Sequence, residues 1–345
     1  MSRHSRPLWE LTRARMLEFI REPEAIFWVF VFPVLLALGL GIAFRNRPVE
    51  SLRIAVQQGP GATQMAGALD SFPDLRVQLL EPEEAFRELR TGRVVLMVIP
   101  GDPVTYRFDP TRSEGQLAQR AVNDAVQRLA GRSDPLEVRQ QHLTEPGARY
   151  IDFLIPGLLG LNLMGSGMWG IGFNIVQARR KKLLKRLLAT PMRKGHYLLS
   201  YGLSRIAFMI LEVAALVGFG WLVFDVRVHG SILDLLIVSL IGALAFAGLG
   251  LLTASRAQTL EGVSGIMNLV MMPMWIFSGV FFSYARFPEA LQPFIKILPL
   301  TPLLDVLRSV ITDGAPLSAS LGQLAAIAAW GILSFGAALK IFRWN

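Results

Sequence analysis

Residues Arg179 to Lys194, RRKKLLKRLLATPMRK, carry eight Lys or Arg and no acid. That chemistry is recognition of an acidic or anionic surface, and it makes no bonds. Leu183, Leu184, Leu187 and Leu188 recur at helical spacing and Pro191 stops the run, which predicts a short amphipathic helix, basic on one side. The segment lies between two long apolar stretches, so the positive-inside rule assigns it to the cytoplasm.

A second feature is Glu212, the only acid deep in an apolar stretch, where an ionised carboxylate costs at least ~2.5 kcal/mol. Arg205, seven residues earlier, is expected to be too far for a simple intrahelical pair. Glu212 reads as a coupling or substrate-cation group, or as a polar contact between helices; the second reading is preferred. Asp305 and Arg308, at i and i+3 after Pro302, predict a local ion pair orienting a short helix near an outer gate.

Enzymatic constellations are missing from the sequence. Cysteine is absent, which removes thiolate chemistry, disulfides and iron–sulfur sites. His4, His142, His196 and His229 are scattered without paired spacing, so no metal site is expected. There is no GxxxxGK[ST] and no GxSxG. Gly165 to Gly170 matches GxGxxG but lies within an uncharged run with no preceding strand, so it reads as close helix packing.

The elements that must position these residues follow from the charge pattern. Stretches 25–44, 153–178, 235–255, 262–285 and 314–339 contain no charged residue, and 206–224 contains only Glu212. Each is long enough to cross a ~30 Å hydrocarbon core at ~1.5 Å per residue. The expected fold is an α-helical polytopic membrane protein of six transmembrane helices. Residues 1–22 supply a cytoplasmic amphipathic interfacial helix, and 23–44 the first span, kinked at Pro33. Segment 45–150 balances 14 Arg against 14 Asp or Glu and predicts an external α/β domain inserted between the first and second spans. Its expected strands are 52–56, 77–80, 94–99 and 104–108; its expected helices are 61–70, 82–91 and 113–131. Residues 151–345 hold five further spans, with a cytoplasmic loop at 179–195 and an external re-entrant segment at 284–317. The net charge of +9 sits in the loops assigned to the cytoplasm and flanks apolar spans, which argues for topology and a lipid bilayer and against nucleic acid.

The chain resembles the ABC-2 type permease family, membrane subunits of ATP-driven exporters. The resemblance rests on one span, a large external domain and then five spans; on LLKRLLATP at Leu183–Pro191; and on Pro273 to Phe282, Pro288, Leu298 to Pro302, Asp305 and Arg308. It covers essentially the whole chain. It departs from the family pattern at Arg179–Lys182, which are all basic where acidic residues and a Gly-Thr are frequent. This implies an unusually acidic partner surface.

The resemblance implies that two such subunits pair, as a homodimer or heterodimer, each on a separate ABC ATPase subunit. ATP and Mg would act through that partner, with no cofactor bound by this chain. It implies ATPase docking by Arg179, Arg180, Lys181, Lys182, Leu184, Lys185, Arg186, Leu187, Leu188, Thr190 and Pro191. It implies a substrate pathway past Asn162, Trp169, Asn174, Asn268, Met271, Met272 and Trp275, whose alternative is ordinary packing. The expected location is a bacterial plasma (inner) membrane, with both termini cytoplasmic, residues 45–150 outside and room for an external adaptor protein. The competing class is a membrane receptor or scaffold with an external ligand-binding domain and a basic recruitment loop. A secondary transporter comes third, since it predicts more intramembrane carboxylates.

Overall fold

The computed structural model describes residues 6–44, 51–132, 136, 149–182 and 194–341. The chain divides into two compact units, Asn46–His142 and the remainder, each considered by itself.

The larger unit is helical. It begins with α1 (Arg6–Ile20) and α2 (Pro23–Ala43). A π-helical turn, Phe27–Val31, interrupts α2 just ahead of Pro33.

In the smaller unit β1 (Leu52–Gln57), α3 (Ala62–Asp70), β2 (Leu75–Leu80), α4 (Pro82–Thr91) and β3 (Leu96–Ile99) form two crossovers, followed by β4 (Thr105–Phe108) and α5 (Ser113–Leu129). The sheet order is β2-β1-β3-β4, parallel except for β4, which runs against β3. Successive residues of β1 serve opposite faces. Ile54 and Val56 pack with Leu69, Leu96 and Val122 under α3 and α5. Ala55 packs with Ala85 and Met97 under α4. Gly92, in left-handed conformation at φ 75°, ends α4 and turns the chain towards β3.

The larger unit resumes with α6 (Tyr150–Arg180), α7 (Lys194–Phe224), α8 (Ile232–Ala254) and α9 (Leu260–Phe277). Two short helices, α10 (Gln292–Ile297) and α11 (Leu300–Ile311), precede α12 (Leu321–Ile341). Among the described residues six helices have the length and apolarity to cross a membrane: α2, α6, the Gly202–Phe224 part of α7, α8, α9 and the Leu317–Ile341 stretch. The helix α6 is central, packing against α2, α7, α8, α9 and α11. Its apolar window is 78% buried, against 17% for the first and last spans, whose Trp28, Leu35, Ile332 and Leu333 point outward. Outer helices that stay apolar on their exposed faces suit lipid as solvent.

Close packing of α6 on α8 depends on glycine. A Cβ on Gly250 would stand 2.7 Å from the Met168 carbonyl oxygen, and one on Gly167 2.9 Å from the Phe246 Cβ. Within the GxGxxG run, then, Gly167 serves helix packing, whereas Gly165 and Gly170 face open space.

Candidate functional site

The C-terminal end of α6 and the turn after it carry the first four residues of the basic run. Arg179 turns inward. Its Nη1 donates to the carbonyls of Ala254 (3.2 Å) and Ala257 (2.7 Å), and its Nη2 to that of Ser255 (3.4 Å). These include the terminal carbonyls of α8, which have no partner inside their own helix. Arg180, Lys181 and Lys182 are exposed, and Lys182 takes a left-handed conformation (φ 55°) that ends the helix. The expected docking residues Leu184, Lys185, Arg186, Leu187, Leu188, Thr190 and Pro191 lie outside the described residues, as do Leu183 and the amphipathic helix they predict.

The middle of the unit holds a buried ion pair. Arg205 Nη1 lies 2.7 Å from Glu212 Oε1 and Nη2 3.3 Å from Oε2, with both side chains almost fully buried. The expectation that Arg205 is too far away is therefore wrong. Seven residues raise the helix about 10.5 Å and return within ~20° of the same face. Two long side chains reaching towards each other close that gap. Glu212 also meets a second helix: the Ser166 hydroxyl stands 3.0 Å from Oε2, and Arg205 Nη2 donates to the Leu163 carbonyl at 3.3 Å. Both partners belong to α6, so the pair ties α7 to the central helix.

Asn162, one turn before Ser166, solves a separate problem. Proline at position 33 has no N–H, so the carbonyl four residues back, at Val29, loses its helical donor. Asn162 Nδ2 donates to that carbonyl at 3.0 Å. In a bilayer a freed carbonyl needs another donor, and here a neighbouring helix supplies one. The other expected pathway residues separate. Met271 is buried in the core, while Trp169 and Asn174 are half-buried on α6, where Asn174 donates to the Gly170 carbonyl at 2.6 Å. Asn268, Met272 and Trp275 share the exposed face of α9. The structure thus brings Asn268, Met272 and Trp275 together and places Asn162 and Met271 in packing positions.

At the opposite end of the unit, Asp305 and Arg308 take separate partners. Arg308 donates through Nη2 to the Gly279 carbonyl and lies 3.7 Å over the Phe153 ring. A Cβ on Gly157 would collide with the Val280 carbonyl and stand 3.4 Å from the Arg308 guanidinium. Arg308 therefore fills a notch between α6, α11 and the end of α9. Burial pushes its pKa down to about 10, which leaves it charged at neutral pH. Asp305 accepts from the Tyr284 hydroxyl at 3.4 Å, and burial raises its pKa despite nearby Arg308. The expected local ion pair is replaced by contacts to three other segments.

Arg149 joins the site through the fold. It pairs with Asp152 (2.7 Å) and donates to the carbonyls of Phe224 (2.8 Å) and Asp225 (3.3 Å). The hydrogen bond to Asp152 raises its pKa. Arg149 thus caps the C-terminal end of α7 from the start of α6, as Arg179 caps α8 from its end. The only sequence signal was an Arg with an acid three residues on at a span boundary. Among the described residues no cluster of three or more His, Asp or Glu could hold a metal.

Comparison with known proteins agrees with this architecture. Residues 23–340 match the family described as ABC-2 family transporter protein. Nodulation protein J of Bradyrhizobium diazoefficiens is 25% identical over 205 residues, covering 57% of this chain and 75% of the relative. The linearmycin resistance permease protein LnrN of Bacillus subtilis is 24% identical over 183 residues, 51% of this chain and 46% of its own length. Inner membrane transport permease YadH of Escherichia coli is 24% identical over 165 residues, 47% of this chain and 63% of the relative. Six apolar helices among the described residues, one of them central and packed through glycine, and no phosphate loop in the sequence fit that match, and the chain belongs to the ABC-2 family of transporter proteins as a membrane subunit of an ABC transporter.

Proposed function

We propose that this chain is the permease subunit of an ATP-binding-cassette exporter, working as a dimer in a bacterial inner membrane. A separate ATPase docks against the basic segment that follows α6. The observation that carries the reading is the family match across all six spans of a chain without a phosphate-binding loop. Outward transport is supported by the relative described as a resistance permease, and an inner-membrane setting by the one described as an inner membrane transport permease.

On this reading both termini and 179–195 are cytoplasmic and the α/β unit is external. Arg180, Lys181 and Lys182 offer their charge to the partner, together with Leu184, Lys185, Arg186, Leu187, Leu188, Thr190 and Pro191. Arg179 is left out, since its donors serve α8. ATP and Mg bind only to the ATPase. Closing of two ATPases rocks the spans between inward- and outward-open arrangements, with nucleotide supplying the differential affinity. The exposed face of α9, with Asn268, Met272 and Trp275, lines the path of an amphipathic or hydrophobic cargo, for which flexible Met and an amphipathic ring are suited. The external unit receives cargo or an outer adaptor.

The test is ATP hydrolysis by the chain reconstituted with its co-purified ATPase in lipid vesicles. The reading predicts stimulation by lipids or apolar drugs; hydrolysis indifferent to every such compound would contradict it.

A further inference from the structure

We propose that Arg179 is a positioning residue that makes the inner ends of α6 and α8 one mechanical unit, so that displacement entering at the cytoplasmic end of α6 reaches α8 and the start of α9. The mechanical role deepens the ATPase-docking reading and rests on it; the lock itself stands on geometry alone.

Three carbonyls, those of Ala254, Ser255 and Ala257, span the turn that ends α8 and leads to α9, and Arg179 grips all three. Ser255 and Ala254 are fully buried and Ala257 nearly so, which shields the acceptors from water, while Arg179 is half-buried. A guanidinium can do this because its planar fork presents several donors in fixed directions, whereas an ammonium is a point charge on a flexible stem. Farther along the same two helices, a Cβ on Gly172 would collide with Met267 and stand 2.7 Å from the Gly250 carbonyl, so no side chain separates α6 from α8. The two helices are thus joined by close backbone contact within the span and by charge at the inner end. Arg179 stands one residue before the exposed Arg180, Lys181 and Lys182, where the proposed partner pulls. Pulling there moves Arg179, and with it the turn at 254–257.

The absence of native cysteine makes the test direct. Spin labels at Gln177→Cys and Gln258→Cys report the distance from α6 to the turn that ends α8, and labels at Leu203→Cys and Gln258→Cys report that turn against α7. In lipid nanodiscs without any partner, the lock predicts a narrow 177–258 distribution in the native background. It predicts a shift larger than that native width in Arg179→Gln, and an intermediate one in Arg179→Lys, which keeps the charge but loses the fork. With the ATPase bound and nucleotide trapped by vanadate, the 177–258 distance stays fixed in the native chain while the 203–258 distance shifts. In Arg179→Gln the ATPase still co-purifies, but the 203–258 shift is lost. A 177–258 distribution equally narrow in Arg179→Gln overturns the lock, and a native 177–258 distance that changes on trapping overturns the rigid unit. Failure of any ATPase to co-purify contradicts the proposed function and leaves the first arm to decide the lock.

Discussion

Two regions of the helical unit hold an acid and an arginine on one helix, and they use them differently. In the middle, Arg205 and Glu212 face each other across two turns of α7 and share Ser166 and the Leu163 carbonyl of α6. At the far end, Asp305 and Arg308 are only three residues apart on α11, yet Arg308 turns to Gly279 and Phe153 while Asp305 turns to Tyr284. Desolvation, more than spacing, decides pairing in such a site. Spacing rules for ion pairs describe solvated helix surfaces, where any geometry near i+3 or i+4 is worth a few tenths of a kcal/mol. In a desolvated interior the cost of an unpaired charge dominates, so side chains stretch to reach whichever partner satisfies them. Arg205 has one carboxylate within reach. Arg308 has a free carbonyl and an aromatic face closer to hand.

The largest expected effect breaks the central pair. Replacing Glu212 with Leu leaves Arg205 buried and unpaired, which should cost about 3–5 kcal/mol. It is read as a drop in the denaturation midpoint in detergent. The double change Arg205→Met with Glu212→Leu should recover most of the loss; a double variant as unstable as the single one would show that the pair's partners, not its charges, matter. Next comes Arg308→Ala, expected to cost roughly 2–3 kcal/mol by removing a charged hydrogen bond and the stacking on Phe153. Arg308→Lys should recover only part of this, and full recovery would mean that charge alone fills the notch.

A smaller effect sharpens the link between α6 and α2. Asn162→Ala orphans the Val29 carbonyl and should cost about 1 kcal/mol. Combined with Pro33→Ala, which restores the helical donor, the loss should shrink; a strictly additive result would break the proposed link. The smallest effect is at Asp305, where Asn keeps an acceptor for Tyr284 and should change stability by ~0.5 kcal/mol or less at neutral pH. Because burial raises the Asp305 pKa, its favourable contribution is present below the unfolded value and lost as pH rises through the folded one. The native chain should therefore lose slightly more stability than Asp305→Asn between acid and neutral pH. Parallel pH profiles for the two would contradict the burial argument.

Much of the architecture was legible because it follows from long runs of one kind of residue. Uncharged stretches placed five of the six spans within a few residues, and local apolar pattern placed β1 to β4 and α3 to α5. The span α9 is shorter than its uncharged run because the chain turns at Gly279, which adopts φ 88°. What was not legible depends on which helices become neighbours. Nothing in the sequence says that Arg179 would meet the end of α8, that Arg149 would meet the end of α7, or that Asn162 would serve the carbonyl freed by Pro33. Each is a donor on α6 or at its N-cap matched to a carbonyl on another helix or in the turn that ends it. Residue type and family resemblance point to the pathway residues of α6 and α9; burial, which splits them, comes from packing.

The central claim is that the basic inner end recruits an ATPase, and co-purification tests it most directly. Tagged native chain would be isolated from its own membranes beside a variant with Arg180, Lys182, Lys185 and Arg186 changed to Glu. A soluble ATPase should accompany the native chain and be lost from the variant, which remains inserted. An ATPase absent from both, or retained by the variant, would contradict it.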